Sequence, residues 1–542
     1  MMSTKPPPPL PSPSTPPQKS LLSRSAEGAK FLILLQVSSR LLTFGVNQLL
    51  LRYLSPSLLG ISVQLELLTI SILYFSRESL RNALQRQSGG SGKSVQAVIN
   101  IALLTLPLGV LFSALLGSGY ILRAGEAGSV RYWRESVLLY VLATLLELAA
   151  EPAFAVAQMN LWYKLRAAAE SAAAAARCAV TCGVTIWGVN TGRELGALPF
   201  AMGQLAYGGV LLAVYMQRMW REGVTVGLER IDDSGKKEEN DRETYHLHLF
   251  SAPISSLAGT MWLQCAIKHV LTQGDSLLIT YLASLPAQGS YALASNYGSL
   301  IARMLFQPLE ETSRTLFSGL LPSSPPPTPK NTTQALHVLK TISKLYLLLS
   351  LFFCALGAPF APILLRLVAG RRWSDSAAGE TLTAYCYYIP LLAINGVSEA
   401  FVQAVATPSQ LHSQSLAMIG FSVCFATSGY IFVHTLALGA EGLVWANVAN
   451  MLLRITWSSR FIASYFGQRG VRVAWTAVLP GAAVVATAVA VGAAVRGAVV
   501  EEFGLLRQGA WAVGAGVVLL GAVVGAERRF LTECWGTVRA GR

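Results

Sequence analysis

Apolar residues run along this chain in long blocks, not in the alternation of a strand or the single stripe of a soluble helix. Crossing hydrocarbon takes about 20 mostly apolar residues. Blocks of that kind fall at 29–53, 58–80, 95–122, 135–158, 164–190, 194–217, 248–282, 286–318, 335–368, 380–406, 411–434, 440–465, 471–495 and 508–527. The pattern predicts an all-α polytopic membrane protein of about fourteen transmembrane helices. The first, second and seventh blocks are the most polar and are kept because of the repeat below. The longest charged loop, 218–247 with IDDSGKKEENDRE, divides six blocks from eight. A Pro-rich loop, LLPSSPPPTPKNTT, follows the eighth. Residues 1–28 are rich in Pro and Ser and predict a disordered tail. The first block is too long for a signal peptide and carries Arg40.

An internal repeat organises the blocks. LQVSSRLLTFGVNQLLLRYL (Leu35 to Leu54) aligns without a gap on LQCAIKHVLTQGDSLLITYL (Leu263 to Leu282). Arg40 falls on Lys268 and Asn47 on Asp275. The fourth block echoes the tenth: Glu147 and Glu151 stand one helical turn apart, as do Asn395 and Glu399. Repeats of this kind locate the functional axis of transporters. The expected organisation is a cytosolic tail (1–28), a six-helix lobe (29–217), a charged cytosolic linker (218–247), a second six-helix lobe (248–466) and two extra helices with a cytosolic end (467–542).

Composition agrees with a membrane class. Hydrophobic residues are 53% of the 542 and charged residues 13%, against roughly 25% charged in soluble domains. Mean hydropathy is +0.47. A soluble core could not hide so much apolar surface. The net charge of +14 suits basic loops facing anionic lipid better than nucleic acid. With the N-terminus in the cytosol, about 25 basic residues fall on the cytosolic side, about 10 opposite and about 7 within spans. Both termini are therefore expected in the cytosol. Seven Cys, mostly inside apolar blocks, are not a disulfide framework.

Ionisable groups inside the bilayer normally face the bundle interior or water. Here they include Arg40, Glu66, Arg77, Glu78, Arg81, Glu147, Glu151, Arg177, Lys268, Asp275, Arg303, Glu310, Glu311, Glu399 and Arg454. A cationic cavity suits an anionic substrate, because Arg grips phosphate bidentately and Lys meets it as a point charge. Arg40, Lys268, Arg303 and Arg77 are the candidates for that task. Asn47, Glu151, Asp275, Asn296, Asn395 and Glu399 are further polar groups of that cavity, candidates for hydrogen bonding or for proton-linked roles. Glu78, Arg81, Glu310 and Glu311 read as structural or interfacial charge. The competing reading is ion pairs between helices, with Arg77 or Arg81 on a neighbouring Glu.

Other signals are weak. SGGSGKS (Ser88 to Ser94) has Gln87 where a phosphate-binding loop needs Gly, and no strand precedes it. Cys178 and Cys182 have no nearby His for a metal. His246 and His248 lack further ligands, and no acidic loop suits a glycosyltransferase. No cofactor, nucleotide or nucleic acid is expected, and the chain does not read as an enzyme.

Seven segments resemble the Rft family of endoplasmic-reticulum membrane proteins, within the exporter superfamily of multidrug extrusion proteins and lipid-linked oligosaccharide flippases. They are LLQVSSRLLTFGVNQLLLRYLS, YFSRESLRNAL, ELAAEPAFAVAQ, KHVLTQGDSLLIT, SNYGSLIARMLFQPLEET, YCYYIPLLAINGVSEAF and GLVWANVANMLLRI. The resemblance implies two lobes around a central cavity, plus two C-terminal helices. It implies a role in N-glycosylation: passing a dolichol-diphosphate heptasaccharide of five mannoses and two N-acetylglucosamines to the luminal leaflet, beside pathway enzymes. The alternatives are a non-transporting chaperone or assembly factor for that lipid, and a proton-coupled drug exporter, which cavity cations disfavour. By motif position the family's polar residues fall on Arg40, Arg77, Glu78, Arg81, Glu151, Lys268, Arg303, Gln307, Glu310, Glu311, Asn395 and Glu399. One departure is Ser276, where the resemblance implies a basic residue after the acid matching Asp275.

Overall fold

The structure, a computed structural model, describes residue 45 and residues 48–87, 95–160, 162–231, 245–246, 248–322, 327–370, 373, 376–498 and 505–540. Its helices are α1 (Pro56–Gln87), α2 (Val95–Leu103), α3 (Thr105–Leu122), α4 (Trp133–Ala149), α5 (Glu151–Met159), α6 (Tyr163–Asn190) and α7 (Leu198–Arg221). They continue with α8 (Ala252–Leu282), α9 (Leu285–Ile301), α10 (Gln307–Leu320), α11 (Pro329–Phe352), α12 (Ala358–Val368) and α13 (Ala378–Val405). The last are α14 (Pro408–Tyr430), α15 (Gly439–Gly467), α16 (Ala482–Ala498), α17 (Leu505–Ala526) and α18 (Arg528–Ala540). Tyr245–His246 (β1) pairs antiparallel with Phe250–Ser251 (β2) just ahead of α8. Among the described residues nine helical stretches are long and apolar enough to cross a membrane. The chain is a polytopic all-α membrane protein.

Most of the predicted block 29–53 lies outside the described residues, Arg40 and Asn47 included. The other blocks each overlap described helices. Block 471–495 starts late, because α16 begins only at Ala482. Gly470 has a positive φ, Trp475–Ala477 forms one tight turn, and Pro480 bars the residue before it from the helical region.

Proline sets several helix starts. It stands in the first turn of α7, α8, α11 and α14, where the missing N–H costs nothing, and at the start of α5, α10 and α12, which continue from a preceding helical turn. Thr407 and Gln410 form a reciprocal cap on α14. Pro308 and Pro359 cannot donate to Met304 and Ala355, and those two residues lie in the π-helical turns Ala302–Phe306 and Phe353–Gly357 that precede α10 and α12. The wider turns absorb the lost bonds without ending the helix.

The two halves meet along α1. At its start Gly60 crosses Gly289 of α9 so closely that a Cβ on either would run into the Leu285 or the Pro56 carbonyl. Gln64 Nε2 donates a 2.8 Å hydrogen bond to Gln288 Oε1 in the other half. Further along, Ser71 Oγ lies 3.1 Å from His269 Nε2, and Trp262 Nε1 donates to the Phe75 carbonyl at 3.0 Å. Near the end of α1, Leu80 and Ala83 pack with Ile254 and Ala258 at the start of α8. That end also carries the described segments on either side of residues 232–244. There Asn100, fully buried, ties the two together: its Nδ2 donates to the Glu229 carbonyl at 2.7 Å and to the Leu249 carbonyl at 2.8 Å.

Candidate functional site

Two polar clusters sit inside the helical halves. The first is built by α1, α4 and α5. Arg77 and Arg81, one turn apart, share a face of α1. The helix breaks at Ala150, between α4 and α5, where Pro152 frees the Leu148 carbonyl and Thr105 Oγ1 donates to it at 3.5 Å. Glu147 and Glu151 flank this break, and both are buried, 7% and 4% exposed. Arg77 Nη1 donates to Glu147 Oε1 at 2.8 Å and to Glu151 Oε1 at 2.9 Å. Arg81 grips Glu151 with two nitrogens, at 2.8 and 2.5 Å. Its guanidinium stands 4.0 Å over the Phe154 ring. Two cations meet two carboxylates, so the cluster is charge-matched.

The second cluster is built by α13 and α15. Glu399 Oε2 accepts from Arg454 Nη2 and from Asn395 Nδ2, both at 3.1 Å. Gln403 Nε2 reaches Glu399 Oε1 at 3.4 Å. Asn447 Nδ2 donates to the Tyr291 hydroxyl at 3.0 Å. Three buried polar atoms of this cluster have no hydrogen-bond partner among the described residues: Asn395 Oδ1, Asn450 Oδ1 and Arg454 Nε. A buried polar atom without a partner costs about 1–3 kcal/mol. Glu310 packs against Gly396, where any side chain would collide with its carboxylate. Its charge reaches Glu399, and that of Arg454 reaches Asp275. One arginine thus faces Glu399, with Glu310 and Asp275 within electrostatic reach.

The remaining candidates are dispersed. Lys268 is exposed on α8, next to His269, which faces α1. Asn296 is exposed on α9, and its neighbour Tyr297 donates to Gln48 Oε1 at 2.6 Å. Asp275 is half-buried. Lys268, Asp275 and Asn296 make no ion pair or side-chain hydrogen bond with one another. Arg303 lies in the π-helical turn Ala302–Phe306. Glu78 accepts from Asn82 at 3.4 Å, and Glu311 from Gln307 at 3.1 Å. The structure therefore joins Arg77 and Arg81 with Glu151, and Asn395 with Glu399. The sequence reading left Arg454, Asn447 and Asn450 out of the site. Their signal was present: 447, 450 and 454 form a polar stripe at helical spacing in an apolar helix.

The sequence profile described as Rft protein matches residues 24–537. The chain belongs to the Rft family. A relative from Yarrowia lipolytica, named Man(5)GlcNAc(2)-PP-dolichol translocation protein RFT1, is 38% identical over 87% of this chain and 75% of its own length. The protein of that name from Saccharomyces cerevisiae is 32% identical, covering 84% of each chain. The one from Mus musculus is 30% identical over 83% of each. Among solved structures, the lipid II flippase MurJ in an inward closed conformation superposes with a TM-score of 0.60, at 11% identity, over 92% of this chain and 99% of its own. An inward-facing multidrug resistance MATE transporter of the MOP superfamily gives 0.54, at 14% identity, over 78% and 94%. At these identities the likeness is one of fold, and the fold of this Rft chain is that of the transporters.

Proposed function

We propose that this chain carries Man5GlcNAc2-diphosphate-dolichol across the endoplasmic-reticulum membrane, from the cytosolic to the luminal leaflet, in the assembly of the donor for protein N-glycosylation. The observation that carries this reading is 38% identity, over most of the chain, to a protein named for that translocation. The lobes are 29–217 and 248–466, and the termini and the 218–247 linker face the cytosol. A diphosphate entering hydrocarbon needs counter-charge. Arg40, Lys268 and Arg303 supply it. Arg77 contributes less, because two carboxylates already hold its guanidinium. Sugar hydroxyls, which donate and accept, suit the amide oxygens of Asn395 and Asn450 and the Nε of Arg454, buried atoms without a partner among the described residues that movement of the helices would have to uncover. Asn296 and Asp275, with Asn47 as the repeat partner of Asp275, are the further polar groups for the route, while the polyprenyl chain stays in lipid. Movement is downhill and needs no cofactor or nucleotide.

The test is a reconstitution. Purified protein is placed in liposomes with the lipid-linked heptasaccharide in both leaflets, and capture by an external lectin is followed. Capture beyond the outer-leaflet share is expected, slowed by Arg40→Ala and Arg303→Ala. Capture no faster than in protein-free liposomes sinks the reading.

One observation favours a second reading, a non-transporting factor that holds the lipid and presents it to pathway enzymes: the halves touch along most of α1, from Gln64 and Gln288 to Ala83 and Ala258. A disulfide between Gln64→Cys and Gln288→Cys, in a chain freed of its native cysteines, separates the two. A translocator stops when locked and recovers on reduction. A presenting factor works in both states.

A further inference from the structure

The C-terminal helix α18 stands outside the proposed transport route. It follows the membrane-spanning α17 after a single residue, Glu527. That residue ties four elements together. Glu527 Oε2 pairs with Lys344 of α11 at 2.7 Å, and Oε1 accepts from the Gly481 N–H at 2.8 Å, just ahead of α16. Lys344 also stands 5.0 Å from the Phe530 ring of α18. Phe530 and Leu531 pack on Leu348, Val484 and Val523.

The long helix from Pro329 to Val368 is a ruler for where this knot lies. Its 40 residues extend about 60 Å, twice the hydrocarbon thickness of about 30 Å. Lys330, His337, Lys340 and Lys344 all fall in its first part, and no charge follows until Arg366. The apolar stretch after Lys344 is long enough to cross hydrocarbon by itself. Lys344 therefore marks one membrane face, and the knot around Glu527 lies at headgroup depth. Gly481 places the segment leading into α16 at that same face, with Trp475 40% exposed.

We propose that α18 lies in the headgroup layer of the leaflet where α17 ends, and that it binds anionic lipid. Its sides divide accordingly. Phe530, Leu531 and Cys534 are half-buried, while Arg528, Arg529, Thr532 and Glu533 are exposed. Trp535, at the edge of the apolar side, is 71% exposed. An amphipathic helix with an aromatic at its margin and arginines on its polar side is built for an interface. The arginines draw anionic headgroups to it. With the termini in the cytosol, this is the cytosolic leaflet. The inference holds whether or not the chain moves its proposed substrate.

The test uses the full-length protein in nanodiscs. The emission of Trp535 is isolated by subtracting that of a Trp535→Phe variant, which changes only an exposed side chain. Shallow brominated lipids are expected to quench most of this component, and aqueous iodide little of it. Adding anionic lipid should deepen the quenching, and R528Q/R529Q should remove that increment. A Trp535 component untouched by brominated lipid but quenched by iodide would overturn the proposal. An effect of anionic lipid that survives loss of both arginines would overturn the headgroup contact.

Discussion

The fourth and tenth predicted spans each place a polar pair one turn apart, yet the two pairs are satisfied in different ways. Glu147 and Glu151 receive two arginines from α1, five short contacts in all if the cation–π contact of Arg81 is included. Asn395 and Glu399 receive one arginine, from α15, and three buried polar atoms of that region have no partner among the described residues. The cation arrives from different neighbours: the second predicted span in the first half, the twelfth in the second. A fully matched buried cluster fixes helices, and its value lies in what breaking it costs. A partly matched cluster costs stability and keeps hydrogen-bonding capacity for something else. The corresponding turns of the two halves thus differ, a charge-matched brace in one and uncommitted buried polar atoms in the other.

The largest effect should come from the brace. Glu151→Gln leaves Arg77 and Arg81 with one carboxylate and should destabilise the protein by about 3–5 kcal/mol. Thermal unfolding of the detergent-purified protein, followed by size exclusion, reads this directly. Glu399→Gln, which removes a single pair at a half-exposed carboxylate, should cost about 1 kcal/mol. Equal losses from the two would break the comparison.

A sharper contrast comes from Asn395→Leu. Replacing a buried amide whose oxygen has no partner should leave stability within about 1 kcal/mol of the parent or raise it. Translocation should fall by about tenfold, the loss of one hydrogen bond to the passing sugar. Loss of fold without loss of rate would reverse the assignment.

The smallest effect concerns another buried carboxylate that takes a cation, Glu527, which lies beyond the end of its span. Burial pushes its carboxyl up, but the hydrogen bonds from Lys344 and the Gly481 N–H outweigh this and hold it below the ordinary carboxylate value. A lowered folded value adds stability above the unfolded one. That contribution is lost as the pH falls through the lowered value, under the usual carboxylate range. Acid titration of wild type against Glu527→Gln should show a small extra loss only in the wild type, most visible as release of α18.

The spans were legible because apolar blocks of bilayer length admit few other readings. The start of α16 was not, since residues 471–481 are apolar enough to join the block and only Gly470 and Pro480 mark the break. The charges were legible as a set but not as pairs. Nothing local distinguishes Arg77, committed to residues seventy positions away, from a free cavity cation. The polar pairs at 147/151 and 395/399 were visible by spacing, and the stripe at 447, 450 and 454 was equally visible but lay unconnected to Glu399 until α13 and α15 were seen side by side. Arg40 and Asn47 fall outside the described residues.

The most direct measurement compares rates in one assay. Wild type, Asn395→Leu, Arg454→Gln and Gln403→Ala would be reconstituted at equal folded amounts, and lectin capture of the lipid-linked heptasaccharide would be followed with time. The account predicts a clear slowing for Asn395→Leu and Arg454→Gln, little change for Gln403→Ala, and melting temperatures close together throughout. Unchanged capture in all three variants would contradict it.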